Sequence, residues 1–91
     1  MANRVVNMDR KRNRAQRAVG YECFLADGNT IHVWVSQDEL DMEFHGLDLK
    51  KVCRLGAERA SAQDIEKGEL TVSRELLIEV EERELIGSRG R

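Results

Sequence analysis

The segment "YECFLADGNTIHVWVS" (residues 21–36) limits the fold more than any other part of this 91-residue chain. Two apolar runs flank Asp27-Gly28-Asn29, and these residue types tolerate the positive φ angles of tight turns. The pattern therefore predicts a β-hairpin. Because a strand alternates its side chains between two faces, the hairpin also divides its residues into two sets.

Both faces of the predicted hairpin are apolar. One set is Phe24, Ala26, Ile31, Val33 and Val35, and the other is Tyr21, Cys23, Leu25, His32 and Trp34. A face open to water is normally more polar, so one of the two needs a cover. We predict that the second face contacts a partner protein, because Trp and Tyr are enriched at binding hot spots. The predicted contact residues are Tyr21, Leu25, His32 and Trp34. The alternative is that this face is core and the other face is wetter.

Two capping signals predict helices after the hairpin. Ser36 and Glu39 fit a capping box, so a short helix is expected to begin there and to end at Gly46. Asp48 can cap a second helix, which Gly68 is expected to end.

The last apolar segment fits two structures. Every second residue from Leu76 to Val80 is apolar, as in a strand, whereas Leu77 and Val80 behind a Ser73 cap have helical spacing. A two-stranded hairpin is marginal in water. We therefore predict a third, antiparallel strand over residues 76–80, which would pair with the hairpin.

The N-terminal segment differs from the rest of the chain in charge. Residues 1–17 hold six basic side chains against Asp9 alone, for a net charge of +5, whereas the other 74 residues hold nine basic and sixteen acidic side chains, for a net charge of −7. Blocks of this kind are often interaction tails. We expect a basic flexible arm over residues 1–18, a single α+β domain over 19–86 and a frayed tail over 87–91.

The stretch from residue 18 to residue 44 carries a strand, an Asp-Gly turn, a second strand and then a Ser-Leu-Phe pattern. The residues of this pattern are Asp27, Gly28, Ile31, Ser36, Leu40 and Phe44. In this it resembles a family of small bacterial proteins described as domain of unknown function 1488. The later segment 54–68 and "LLIEV" are compatible with that family, whereas its Gly-rich stretch after the Phe is only His45-Gly46 here. The resemblance implies an α+β fold and no particular chemistry.

The chain contains no recognisable catalytic or cofactor motif. It has no Gly-rich phosphate loop and no nucleophile signature, and its Cys and His residues are too dispersed for a usual zinc site. Cys23 and His32 would be cross-strand neighbours in a hairpin with a two-residue turn. The expected arrangement is a packed Cys beside a partly exposed His rather than a thiol–imidazole pair. We predict a protein that is not an enzyme and that needs no metal or cofactor.

The expected location is the cytoplasm. No apolar run approaches the roughly 18 residues of a membrane span, and the polar, basic N-terminus is unlike a secretory signal. Cys23 and Cys53 are then expected to be reduced and to act as small core hydrophobes.

Two functions remain open. The first is a small bacterial or phage protein that binds another protein, or a second copy of itself, as a regulator, inhibitor or assembly subunit. Acidic residues of the first helix would steer a basic partner, and these are Asp38, Asp41 and Glu43. The alternative is a nucleic-acid-associated regulator that binds RNA or DNA through its arm. The residues of that contact are Arg10, Lys11, Arg12, Arg14 and Arg17. Neither a membrane nor a small-molecule substrate is expected.

Overall fold

The computed structural model describes residues 3–89, with side chains described as far as residue 84. In chain order its elements are β1 (Val5–Asn13), β2 (Ala18–Leu25), β3 (Thr30–Ser36), α1 (Gln37–Met42), α2 (Leu49–Glu58), α3 (Ala62–Lys67), β4 (Glu69–Thr71) and α4 (Arg74–Arg89). The strands form one sheet in the order β1-β2-β3-β4. Neighbouring strands are antiparallel except for β4, which is parallel to β3. The predicted α+β fold class is confirmed.

One face of the sheet packs against the helices and forms the core. Ile31, Val33 and Val35 of β3 are completely buried, and the residues between them are half-buried. Each such side chain contributes about 1.5–3 kcal/mol when it leaves water. Every helix sends a side chain to this core or its margin, as shown by Leu40, Val52, Ile65 and Leu77 of α1 to α4. All four helices therefore lie on the same side of the sheet.

The β2–β3 hairpin is confirmed, but its register differs from the predicted one. The amide of Leu25 donates to the carbonyl of Asn29 at 2.8 Å, so three residues rather than two form the loop. Gly28 takes the left-handed conformation (φ 95°) that such a loop requires at its last position. Consequently Cys23 lies opposite Ile31, whereas the predicted two-residue turn would place it opposite His32. A shift of one residue exchanges the two faces of one strand relative to the other.

Residues 5–13 form strand β1, so the prediction of a flexible arm over residues 1–18 is wrong for them. Val5 is buried and Met8 packs at the margin of the core. Asn3 extends the contact, since its side-chain amide donates to two carbonyls at the end of α2, both at 3.0 Å. The sequence pattern of β1 is weak because an edge strand takes most of its stability from backbone pairing with its neighbour.

The helix starts at Ser36 and Asp48 are confirmed, whereas the predicted ends are not: α1 ends at Met42 rather than at Gly46, and the second helix is shorter than predicted. The Ser36 side chain accepts from the Glu39 amide at the start of α1, and Asp48 accepts from the Lys51 amide at the start of α2. The predicted continuous second helix is instead α2 and α3. A capping box at Ser61 starts the new helix, because a cap needs a non-helical backbone at that position.

The predicted third antiparallel strand over residues 76–80 is wrong. This segment belongs to α4. The strands that extend the hairpin are β1, which is antiparallel to β2, and β4, which is parallel to β3. Leu77 and Val80, three residues apart, are buried against the other helices, while Ile78 faces outward. The tail predicted over residues 87–91 is also wrong as far as residue 89, which ends α4. Residues 90 and 91 lie outside the described part.

Ion pairs join α4 to the helices beside it. The guanidinium of Arg59, the residue that follows α2, donates two hydrogen bonds to Glu79, at 2.8 and 2.7 Å, and Arg83 adds a third contact at 2.9 Å. Arg74 pairs with Glu43, just after α1. The Arg59 hydrogen bonds lower the pKa of Glu79 below its ordinary range.

We predict that Gly20→Ala lowers the free energy of unfolding by about 1–3 kcal/mol. A Cβ atom at this position would lie 1.8 Å from the Val33 carbonyl oxygen of the neighbouring strand, so the backbones would have to separate. Urea unfolding measures the loss. Asp9→Ala, at an exposed position of the adjoining strand that takes part in no ion pair within the described residues, is the control and is expected to change the unfolding free energy by less than about 0.5 kcal/mol. Equal stability of Gly20→Ala and the wild type would contradict the close approach of the strands.

We predict that Glu79→Gln lowers the melting temperature at neutral pH. Because the folded pKa of Glu79 is lowered, its ion pairs stabilise the protein above the ordinary carboxyl range, and this contribution is lost as the pH falls through the folded pKa. The melting temperatures of variant and wild type should therefore converge in acid. Glu82→Gln, at an exposed α4 position, is the control and should show no such convergence. A constant difference at all pH values would be the contrary result.

Candidate functional site

The candidate site is the face of the sheet that points away from the helices, which we call the open face. Its residues alternate along each strand with those of the core. The central strands β2 and β3 contribute Ala18, Gly20, Glu22, Phe24, Thr30, His32, Trp34 and Ser36. The outer strands β1 and β4 contribute Asn7, Asp9, Lys11, Asn13, Glu69 and Thr71. No helix of the described part of the chain covers this face.

Three half-buried side chains with rings lie on the open face, His32 and Trp34 stacked on β3 and Phe24 next to the hairpin loop on β2. The rings of His32 and Trp34 stack, with centroids 5.8 Å apart and planes inclined by 9°. Trp34 lies opposite Gly20, which has no side chain to shield it. Phe24 lies on the adjacent strand, opposite Thr30. We call these three residues the aromatic centre, and they give the face a rigid apolar surface that remains partly in contact with water.

The charge of the open face is mainly negative. Asp9, Glu22 and Glu69 lie in one row across the sheet at the level of His32, and we call them the acidic row. Glu22 contacts both Lys11, at 3.8 Å, and His32, at 3.5 Å. Within the described residues, the other two carboxylates of the row take part in no ion pair. The face therefore suits a cationic ligand better than an anionic one.

The structure separates the four residues of the predicted hairpin contact. His32 and Trp34 lie on the open face, whereas Leu25 is buried in the core and Tyr21 packs at its margin. The prediction of one common patch is therefore wrong. It assumed a two-residue turn, and the additional loop residue moves one strand by one position relative to the other.

The acidic residues predicted to steer a partner lie elsewhere and are occupied. Asp38 accepts from Arg17 at 2.7 Å, and Asp41 accepts from the Gln37 side chain at 2.8 Å. Glu43 is paired with Arg74, and this hydrogen bond lowers the pKa of Glu43. These residues lie on and just after α1, on the helix side of the sheet, so they do not extend the open face.

The basic residues of the N-terminal segment are divided by the alternation of β1. Lys11 belongs to the open face, whereas Arg10 and Arg12 point to the helix side, opposite Tyr21 and Val19. The remaining two, Arg14 and Arg17, lie in the turn between β1 and β2. The predicted arm is therefore not one continuous basic surface.

The two thiols lie in the core. Cys23 and Cys53 are both completely buried, and their Sγ atoms approach carbonyl oxygens of neighbouring strands and helices at 3.7–3.9 Å. Burial raises the pKa of Cys23 to about 11 and that of Cys53 to about 12. Because the thiolate is the reactive form, neither residue is prepared for nucleophilic attack. Glu22, not Cys23, is the cross-strand neighbour of His32.

Sequence reasoning missed Phe24, Glu22 and Glu69 as members of the site. The hairpin itself is predicted correctly. Only the length of the hairpin loop decides whether Phe24 shares a face with Trp34. The Gly after the Asp was the available signal, since a three-residue loop places a residue with positive φ at its last position. Glu69 had no comparable signal, because the pairing of β4 with β3 crosses three helices.

No family model matches this chain, and neither the curated proteins nor the solved structures provide a match. Within the described residues, no helix is long and apolar enough to cross a membrane. The same part of the chain holds no group of three or more His, Cys, Asp or Glu side chains arranged for a metal ion. The interpretation of the site therefore rests on its geometry.

We predict that Cys23 and Cys53 react slowly with alkylating reagents in the native protein. The raised pKa of Cys23, about 11 against an ordinary 9.0, alone reduces the thiolate fraction roughly 100-fold at mildly alkaline pH. Mass spectrometry after timed alkylation, with and without urea, measures the two rates. Fast native labelling of Cys23 would contradict its burial and would reopen the possibility of a thiol-dependent enzyme.

Proposed function

We propose that this protein is a non-enzymatic binding protein that docks another protein on the open face of its sheet. The observation that carries the proposal is the aromatic centre, where Trp34 stacks on His32 and Phe24 lies on the same face, without cover from any described helix. Large rings held rigidly at a surface lose little conformational entropy on binding, and Trp is enriched at interface hot spots.

The surroundings of Trp34 indicate the chemistry of the partner. The acidic row disfavours phosphate groups on this face and favours Lys and Arg side chains. A matching surface would offer an apolar pocket for the Trp34 ring with basic residues around it. Docking would then remove apolar rings from water and pair the two carboxylates of the row that have no partner in the described chain.

A cytoplasmic setting and a regulatory, inhibitory or assembly role in a bacterium or phage belong to the same proposal. Both described cysteines are free thiols, which fits a reducing compartment. The grooves of the described residues are open rather than enclosed, which fits a protein that acts by occupying a surface of another one.

We predict that Trp34→Ala weakens binding of the partner by about 2 kcal/mol or more, roughly a 30-fold rise in Kd, because the ring is the anchor of the contact. The partner is isolated as a protein that the immobilised wild type retains from an extract of the source cells. Trp34 is the only tryptophan of the chain, so the fluorescence of the wild type reports the contact directly. Its emission should shift to shorter wavelength when a partner without tryptophan binds.

Met42→Ala provides the matched control. Met42 is the most exposed large apolar residue of the described chain, at 79%, and it ends α1 on the helix side. This variant should retain the partner as the wild type does. If Trp34→Ala retained the same protein with unchanged affinity, or if binding left the Trp34 emission unchanged, the open face would not be the docking surface.

A further inference from the structure

Three arginines near the β1–β2 turn, Arg10, Arg12 and Arg14, are exposed and take part in no ion pair within the described residues. Four other arginines of that part of the chain, Arg17, Arg59, Arg74 and Arg83, are paired with carboxylates. Arg4, before β1, and Arg54, in α2, are unpaired in that part as well, but they lie away from the β1–β2 turn. The chain as a whole is acidic. A local excess of unpaired positive charge on such a protein is a surface suited to an anionic partner.

The backbone holds these arginines in a row. Arg10 and Arg12 are two residues apart on the same face of β1, so their attachment points are about 7 Å apart. Arg14 continues the row into the turn, whose first residues are held by hydrogen bonds between Asn13 and Gln16, at 3.2 and 3.3 Å. A row of guanidinium groups on a rigid strand matches a chain of regularly spaced anions rather than a single small ion.

A shallow groove of about 270 Å³ lies beside this row. Its lining contains three arginines and no carboxylate, and its residues are Arg12, Asn13, Arg14, Arg17, Ala18, Val19 and Gln37. Arg17 also contacts Asp38, which holds its guanidinium in place at the edge of the groove. Phosphate groups in this groove would meet only positive and neutral side chains.

A second groove of about 460 Å³ adjoins the first, and both are lined by Val19 and Gln37. Arg10 and Lys50 line it together with Asp41 and Asp48, so its formal charges balance, and Tyr21 and His45 add rings to its lining. Tyr21 lies directly opposite Arg10 on the neighbouring strand. The arginine-rich segment itself contains no aromatic residue. The fold brings the Tyr21 ring beside it from the neighbouring strand. A groove lined by arginines that continues into one lined by rings combines the two elements of single-stranded nucleic-acid binding, which are backbone neutralisation and base stacking.

We propose that these two grooves bind the phosphate backbone and bases of a single-stranded nucleic acid, at the β1–β2 turn and along the helix side of the sheet. A double helix fits less well, because Asp41 and Asp48 in the lining of the second groove would repel the additional phosphates of its other strand. An acidic protein or an anionic membrane would use the arginines but not the rings. The proposal does not depend on protein docking at the open face.

Fluorescence anisotropy with labelled oligo(U) and oligo(dT) tests the proposal on the full chain. We expect binding that weakens with salt, with a slope of the logarithm of the association constant of about −0.7 per phosphate contact, or about −2 for three contacts. The triple variant Arg10→Gln, Arg12→Gln, Arg14→Gln should lose at least about tenfold in affinity at low salt and most of the slope. Replacement of the same three residues by Lys should restore the salt slope, because it returns the charges.

The matched control removes three positive charges at exposed positions that line neither groove, Lys51→Gln, Arg54→Gln and Lys67→Gln. It should bind within about threefold of the wild type, and so should Trp34→Ala. An equal loss in the control would mean that only net charge matters, and a loss in Trp34→Ala would place the nucleic acid on the open face. Equal affinity for poly-glutamate or for vesicles of anionic lipid would also overturn the proposal, as would no binding of either oligonucleotide by the wild type.

Discussion

The register of the β2–β3 hairpin is the constraint on which the rest of the structure depends. Its three-residue loop, with Gly28 in the left-handed conformation, brings Cys23 opposite Ile31. All inward positions of the two strands are then apolar, so the helices can cover them without burying an unpaired polar group. A shift of one strand by a single residue would move its inward set into water. The same register leaves His32 and Trp34 outside, so it determines the core and the candidate site together.

Strand β1 connects the two proposed surfaces because its alternation divides a run of charged residues. Asp9 and Lys11 belong to the open face, whereas Arg10 and Arg12 lie on the helix side. One edge strand thereby supplies part of an acidic surface and part of a basic one, on opposite sides of a single sheet. Its Lys and Arg side chains also protect the free edge from pairing with other strands. A ligand on either side would leave the other side accessible.

Local interactions were the predictable part of this fold. The caps at Ser36 and Asp48 act within three residues of the chain, and each produced the expected helix start. The capping box at Ser61 was equally visible in the sequence as Ser-x-x-Asp, and it explains why the predicted long helix is divided in two. By contrast, residues 76–80 fit a strand and a helix equally well. Packing of Leu77 against the other helices decided between them.

The candidate site was predictable only in part. Trp34 and His32 were expected to lie together, because residues two apart on one strand always share a face. Their separation from Tyr21 depended on the register between two strands, and the inclusion of Glu69 depended on a strand that joins the sheet after three helices.

The sequence by itself determined the α+β composition, the hairpin and the helix starts, since turns and caps are interactions between residues a few positions apart. Only the tertiary structure decided which face of the hairpin is core, that residues 5–13 form a strand, and how the charged residues of that strand are divided between the two sides of the sheet. Those outcomes depend on pairing and burial between segments that are distant in the chain, and no short sequence pattern records them.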